Sequence, residues 1–349
     1  MPPRPTAIAL VLAVALLACT PAPDRGAPAD SAPPAAAAPS DPSREPSPAP
    51  MSHGEAPVGT SAEPVDRPAT APMRSTRRLH RVRLETVHVK HAVAPGVRYD
   101  AWTFGGQVPG PALRVTVGDT VDFTIVNVAP MPHSMDFHAA EIAPSRAYVN
   151  VLPGDSLSFR FVARVPGAFM YHCGTAPVAA HIANGMYGAL IVDPVAPRAP
   201  AREFVLVQSE FYLGAPQGPD SARQLDWAKM LGLAPDHVTF NGSAGLYAAH
   251  PIQVDVGEPI RIYLVNAGPN QVSAFHVVGA IFDRVYVDGL GAPLRGVQTF
   301  NVPVGGGMIF ETRLVEEGVY PFVSHAFADA TKGAVGMFRA GKPSGSMSH

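Results

Sequence analysis

From residue 79 onward, apolar and polar residues trade places in short runs. LRVTVGDTVDFTIVNV, SLSFRFVAR, FMYHC and GALIVDP are separated by Gly- and Pro-containing turns. Successive side chains of a strand leave on opposite faces, so short alternating runs at this spacing predict an all-β chain built from sandwiches. The pattern also repeats. ALRVTVGDTVDFTIVN (112–127) matches PIQVDVGEPIRIYLVN (251–266), VPGAFMYHC (165–173) matches EEGVYPFVSH (316–325), and NGMYGALIV (184–192) matches TKGAVGMFR (331–339). About 265 residues are too many for one small sandwich and suit two. The expected domains are residues 78–197 and 198–342, joined at DPVAPRAPA, with a flexible tail at 343–349.

The first 77 residues have no such pattern. MPPRPTAIALVLAVALLACT has one early charge, Arg4, and an apolar run to Leu17. That run is short for a membrane span and fits a signal peptide. Leu16-Leu17-Ala18-Cys19 resembles a bacterial lipoprotein cleavage box, with Cys19 as the lipid-modified residue; ordinary cleavage near Ala18 is the alternative. Residues 1–19 are expected to be this leader. Residues 20–77, rich in Pro, Ala and Ser, are expected to be a disordered tether, spanning roughly 40 Å if flexible. The chain is therefore expected to be exported, and either lipid-anchored to the outer membrane or periplasmic. The two cysteines, Cys19 and Cys173, leave no disulfide within a mature chain. A net charge of −2 without a basic stripe argues against nucleic acid.

The candidate chemistry sits in MPHSMDFHAA and GAFMYHCGTAPVAAHIANGMYGALIV, between residues 131 and 192. His133, Cys173, His181 and Met186 supply two imidazoles, a thiolate and a thioether, the ligand set of a blue-copper electron-transfer site. A closed zinc site would want Cys or His in place of Met186. Asp136, His138 and His172 are left over. His172 directly precedes Cys173, so alternation turns it to the other face. His138 lies an odd number of residues after His133 and shares its face with Asp136. The sequence thus describes two metal sites on either side of one sheet, linked through the Cys173–His172 peptide, with an expected separation on the order of 10 Å.

The repeat shows what the second half lost. Ser324 falls where Cys173 stands, and Ala334 where Met186 stands. The second half still offers His276 and His325 near the metal-bearing positions of the first. His80, His88, His91, His237 and His250 lack such a context and are expected to be ordinary surface histidines.

MPHSMDFHAA, YHCGTAPVAAHIANGMYGALIV and SAFHVVGAIFDRVYVDG resemble the copper-containing nitrite reductases, most of all their lipid-anchored outer-membrane branch, over roughly residues 80–340. The resemblance implies two tandem cupredoxin-like Greek-key β-sandwiches and two coppers per chain. The type 1 copper would take His133, Cys173, His181 and Met186, and the type 2 copper His138, His172 and His325. Three neutral imidazoles leave a coordination position open, as a catalytic site requires. It further implies Asp136 and His276 as the proton-handling pair, and Val278 as the aliphatic residue above the type 2 copper, where Ile is commoner. The expected reaction is NO2− + e− + 2H+ → NO + H2O. The implied assembly is a homotrimer in which the second domain of one subunit completes the type 2 site on the first domain of its neighbour. No C-x-x-C-H haem motif and no third unit is seen, so the donor is expected to be a separate small cupredoxin or c-type cytochrome. A multicopper oxidase would need His-x-His pairs, and the chain has none. A simple electron carrier would need only the first site.

Overall fold

The computed structural model describes residues 68–341 apart from 219–220 and 288–290. The leader with Cys19, most of the tether and the tail lie outside the described residues.

The first half forms two facing sheets. One has the order β2-β1-β4-β6, from β1 (Leu79–Ala94), β2 (Val97–Phe104), β4 (Thr120–Asn127) and β6 (Ser156–Val162); the other has the order β3-β8-β7-β5, from β3 (Leu113–Thr116), β5 (Asp136–Phe137), β7 (Gly167–His172) and β8 (Tyr187–Asp193). The second half repeats the plan with five strands to a sheet. Its sheets run β10-β9-β12-β16-β14 and β11-β18-β17-β13-β15. The first draws on β9 (Arg202–Phe211), β10 (His237–Phe240), β12 (Pro259–Gly268), β14 (Arg284–Val287) and β16 (Gly307–Arg313). The second draws on β11 (Ile252–Val254), β13 (Ser273–Val277), β15 (Thr299–Val302), β17 (Gly318–Ser324) and β18 (Val335–Ala340). Helices are short: α1 (Pro144–Ala147), α2 (Val178–Ala183), α3 (Trp227–Leu231), α4 (Leu246–Ala249) and α5 (Phe327–Thr331).

Alternation explains the layering. In β4, Val121, Phe123 and Ile125 point into the first sandwich and the residues between them are partly exposed. Strand β8 is buried along its whole length because both faces are covered. Leu190 and Val192 fill the first sandwich, while Ala189 and Ile191 join a second core with Val205, Val207, Tyr263, Val265 and Ile309. Those last residues come from β9, β12 and β16, so the second core glues the two sandwiches together. Strand β7 belongs to both layers: Ala168 and Met170 face the shared core, Tyr171 and Cys173 the first sandwich. The approach is tight at Gly307, where a Cβ would stand 2.0 Å from the Ala168 carbonyl oxygen. Any side chain there would push β16 off the strand that leads to the candidate site.

One expectation changes at the N-terminal side. The sequence places residues 68–77 in the tether, yet Ala71 N–H donates to Glu203 O at 2.9 Å and Val205 N–H to Ala69 O at 2.7 Å. Small Ala side chains let this extended segment lie along the edge of β9, and both alanines are buried there. Of the five histidines expected at the surface, His250 alone is exposed. His91 is buried, with Nε2 donating to Gly242 O at 2.6 Å across the two sandwiches. His80, His88 and His237 are half-buried.

Candidate metal centres

Strand β7 ends at His172, and Cys173 follows at the mouth of the loop to β8. The loop carries an unexpected turn of helix, α2. Its VAAHIA sequence is rich in good helix formers, and Pro177 precedes it without needing a donor hydrogen bond. The helix lifts His181 back over Cys173. The loop closes on itself where Cys173 N–H donates to Met186 O at 3.1 Å and Met186 N–H to His181 O at 3.1 Å.

Cys173 and Met186 are fully buried, as are His133 and, at 1 % exposure, His181. The Cys173 Sγ lies 3.2 Å from His181 Nδ1 and 3.9 Å from His133 Nδ1, and the two Nδ1 atoms are 3.2 Å apart. Ser134 N–H donates to the sulfur at 3.3 Å, and its hydroxyl accepts from Gly174 N–H at 3.0 Å. Burial first, then the His181 and His88 rings, holds His133 down to about 3; burial, then His88, holds His181 down to about 4. Both rings are thus neutral at neutral pH, the form that binds a metal. Two imidazole nitrogens and a sulfur converging in a dry pocket suit a soft or borderline transition metal.

The second cluster is on the other face. His172 Nε2 stands 3.0 Å from His138 Nε2 and 3.8 Å from an Asp136 carboxylate oxygen. The ligand atoms of Asp136, His138 and His172 all lie within 4.8 Å of one another. His172 Nδ1 donates to the Cys173 carbonyl at 2.9 Å, which fixes the tautomer and leaves the Nε2 lone pair toward His138. Strand β5 is only two residues long, with Asp136 opposite His172 and Phe137 opposite Tyr171. His133 is anchored separately, through a backbone bridge to Val151. The short strand suffices to put His133 with Cys173 and His138 with His172. Gly305 of the second sandwich lies beside His138: a Cβ there would be in ordinary contact, 3.4 Å from its ring.

His325 and His276 are elsewhere. Their rings are 5.1 Å apart, and neither belongs to the Asp136–His138–His172 group. His276 lies opposite Val323 in the sheet, and its Nδ1 donates to Gln298 O at 2.6 Å, leaving Nε2 as the accepting nitrogen. Val278 follows β13 and is 42 % exposed, its N–H donating to Pro321 O. A single chain thus presents half of the expected second site on each sandwich.

Four residues escaped the sequence reading. His88 and Trp102 stand beside His133 and His181. Tyr148 donates to Phe137 O at 3.2 Å, and burial and the nearby Asp136 push its hydroxyl up to about 12. The fourth is Asp329. In the second sandwich Ser324 N–H donates to Ala334 O at 3.1 Å, and Ala334 N–H to Asp329 O at 3.0 Å. These are the bonds that tie Cys173, Met186 and His181, so Asp329 occupies the place of His181.

Asp329 is 4 % exposed and its Oδ2 has no hydrogen-bond donor among the described residues. Burial raises its pKa, only partly offset by Lys332. A raised carboxylate is stabilising below its unfolded value, and that contribution is lost as pH rises through the native value. Asp329→Asn removes the buried charge and is therefore expected to stabilise the protein at pH 7 by about 1 kcal/mol, the low end of the cost of an unpaired buried polar group. The gain should vanish below about pH 4. Denaturant melts of both proteins at the two pH values check it.

Residues 86–197 match a protein-family profile described as multicopper oxidase. The chain is 41% identical over 266 residues to a copper-containing nitrite reductase of Neisseria meningitidis serogroup B, covering 74% of this chain and 68% of that protein. It superposes on a copper nitrite reductase from Nitrosomonas europaea with a TM-score of 0.69 and 37% identity, covering 75% of this chain and 94% of the other. A copper-containing nitrite reductase from Thermus scotoductus aligns with a TM-score of 0.70 and 33% identity, over 75% and 62% of the two chains.

Proposed function

The chain belongs to the copper-containing nitrite reductases, and from that premise we propose that its two clusters divide the one-electron reduction of nitrite to nitric oxide between them. The observation that carries the division is the pair His172 and Cys173. They are adjacent in sequence, yet Cys173 joins the buried sulfur–nitrogen cluster and His172 the more open nitrogen–oxygen cluster. Type 1 copper would be held by His133, Cys173, His181 and Met186, and type 2 copper by His138, His172 and His325. Bound copper would supply a one-electron store in the first cluster and a Lewis acid for nitrite in the second.

The chain's own groups do the rest. The buried ligands sit in a packed sandwich that would hold copper with little rearrangement on a change of charge. The Cys173–His172 peptide, with the His172 Nδ1 hydrogen bond across it, would offer a short path between the two clusters. Asp136 lies beside His172 and can hold a proton against an oxygen of nitrite. His276, with Nδ1–H committed to Gln298, can take and deliver the second proton at Nε2. Val278 would limit the room above the nitrite. Asp136→Asn keeps the shape and removes the titrating group. The rate should fall roughly 100-fold or more at unchanged copper content, in line with general acid catalysis. Paired turnover and metal assays check this, and an undiminished rate removes Asp136 from proton delivery.

The third imidazole has to come from another copy if His138 and His172 are to share a metal with His325. We read the active assembly as a homotrimer, in which a head-to-tail interface closes into a ring. The electron donor is a separate protein, a small cupredoxin or c-type cytochrome. The leader supports export and lipid attachment at Cys19, to the outer membrane or on the periplasmic side.

Anaerobic assay of the copper-loaded protein with nitrite and an artificial reductant tests the activity. One NO per electron supplied, with two coppers per chain, is expected. Oxygen consumption without NO would point to an oxidase, and one copper per chain without turnover to a carrier.

A further inference from the structure

His88 lies outside the expected ligand set, yet its ring meets that of His133 in the buried cluster. In β1 it stands directly opposite Trp102 of β2. Directly opposed side chains on one face of an antiparallel pair touch, and the two rings stack at 5.3 Å with a 12° interplanar angle. Trp102 in turn packs edge-on against His181 at 4.9 Å, and its backbone N–H donates to Asn184 O at 2.8 Å, in the loop that carries His181 and Met186. This places His88 Nε2 3.2 Å from His133 Nε2.

The tautomers follow from the geometry. The nitrogens of His133 and His181 that meet Cys173 Sγ are both Nδ1. A neutral imidazole that offers Nδ1 to a metal carries its proton on Nε2, and in His133 that is the atom facing His88. We propose that His88 is a positioning residue for the buried cluster: its Nε2 accepts the His133 Nε2–H, fixes the ring and tautomer of His133, and sets the reduction potential of copper bound there. An acceptor on the far nitrogen makes the ligating nitrogen a stronger donor. A stronger donor favours Cu(II) over Cu(I) and lowers the potential. This inference rests on reading the buried cluster as a copper site.

Two variants separate the hydrogen bond from the packing. His88→Phe keeps a ring stacked on Trp102 and removes the acceptor. His88→Gln restores an acceptor oxygen at similar reach. Three quantities are measured on full-length, copper-loaded protein: the thiolate–copper visible band, its midpoint in a redox titration, and the copper content of each cluster. In the Phe variant the Cu(II)/Cu(I) equilibrium should move about tenfold toward Cu(I), a rise of about 59 mV for one electron. Copper affinity at the buried cluster should fall by about 10-fold or more, with the second cluster still filled as a check on folding. The Gln variant should return most of the way to the parent. Equal shifts in both variants, or no shift in either, would overturn the proposal. If the Phe variant does not accumulate, His88→Leu makes the same comparison with Gln. A parent without the thiolate–copper band would overturn the copper reading and this inference with it; a parent with the band but an unshifted Phe variant overturns this inference alone.

Discussion

Cys173→Ala is expected to abolish the intense visible absorption of a copper–thiolate bond while copper stays at the second cluster. Cys173 is the one sulfur anion that the buried cluster can offer, lying 3.2 Å from His181 Nδ1 with no exposure. Without it, two imidazoles and a thioether remain, a weak set for copper in a dry pocket. The fold should survive. The backbone bond from Cys173 N–H to Met186 O does not involve the side chain, and the lost sulfur leaves a small cavity costing on the order of 1 kcal/mol. His172 leaves the opposite face, toward His138 and Asp136, and keeps its own bond to the residue 173 carbonyl. Nitrite should therefore still bind, while turnover with a protein donor falls to background because nothing receives the electron. Metal analysis and visible spectra read both outcomes. Loss of both coppers from a folded variant would mean that the two faces do not act as separate sites.

The second large effect is a restoration. His138→Ala and His325→Ala should each be inactive alone, because each removes one imidazole from every second-cluster site of a homo-oligomer. Co-expressed in equal amounts, they should regain about a quarter of parent activity. In a head-to-tail ring, a His325→Ala chain brings an intact first sandwich and a His138→Ala neighbour an intact second one. Random mixing makes about one interface in four of that kind. The expectation has a structural motive: His325 sits with His276 on the second sandwich and does not join His138 and His172 within one chain. Background activity at every mixing ratio would place all three histidines of a working site in the same chain.

Much of this arrangement is legible in the residue pattern, because the feature that organises it is local. A strand turns adjacent residues to opposite faces, and that alone separates His172 from Cys173. The internal repeat marked Ser324 and Ala334 as the replaced positions, and the matching backbone bonds around them follow the same alignment. The same logic would have caught His88. It shares the parity of Leu84 and Thr86 in β1, and both are buried. An isolated histidine in a strand of mixed polarity carries no chemical tag, however, and its partner Trp102 is found only from the register of β1 on β2. His91 was missed for a different reason: its cover comes from the second sandwich, more than a hundred residues away in sequence. Asp329 stands five residues before Ala334, as His181 stands five before Met186, so the alignment that located Ala334 also points to it; the loop after Ser324 is shorter than the loop after Cys173, and an alignment through Ser324 hides it. The α2 turn, too, depends on a few alanines inside an otherwise β-rich stretch.

The central claim is that one electron, received at the Cys173 cluster, leaves through His172 to reduce nitrite at a site completed by His325. Rapid one-electron reduction of the copper-loaded protein, followed through the thiolate–copper band, tests it most directly. With nitrite present, the band should bleach and then recover without added oxidant, yielding one NO per recovered centre, and recovery should be absent in His325→Ala. A band that stays bleached in the parent, or that recovers equally in His325→Ala, would contradict the account.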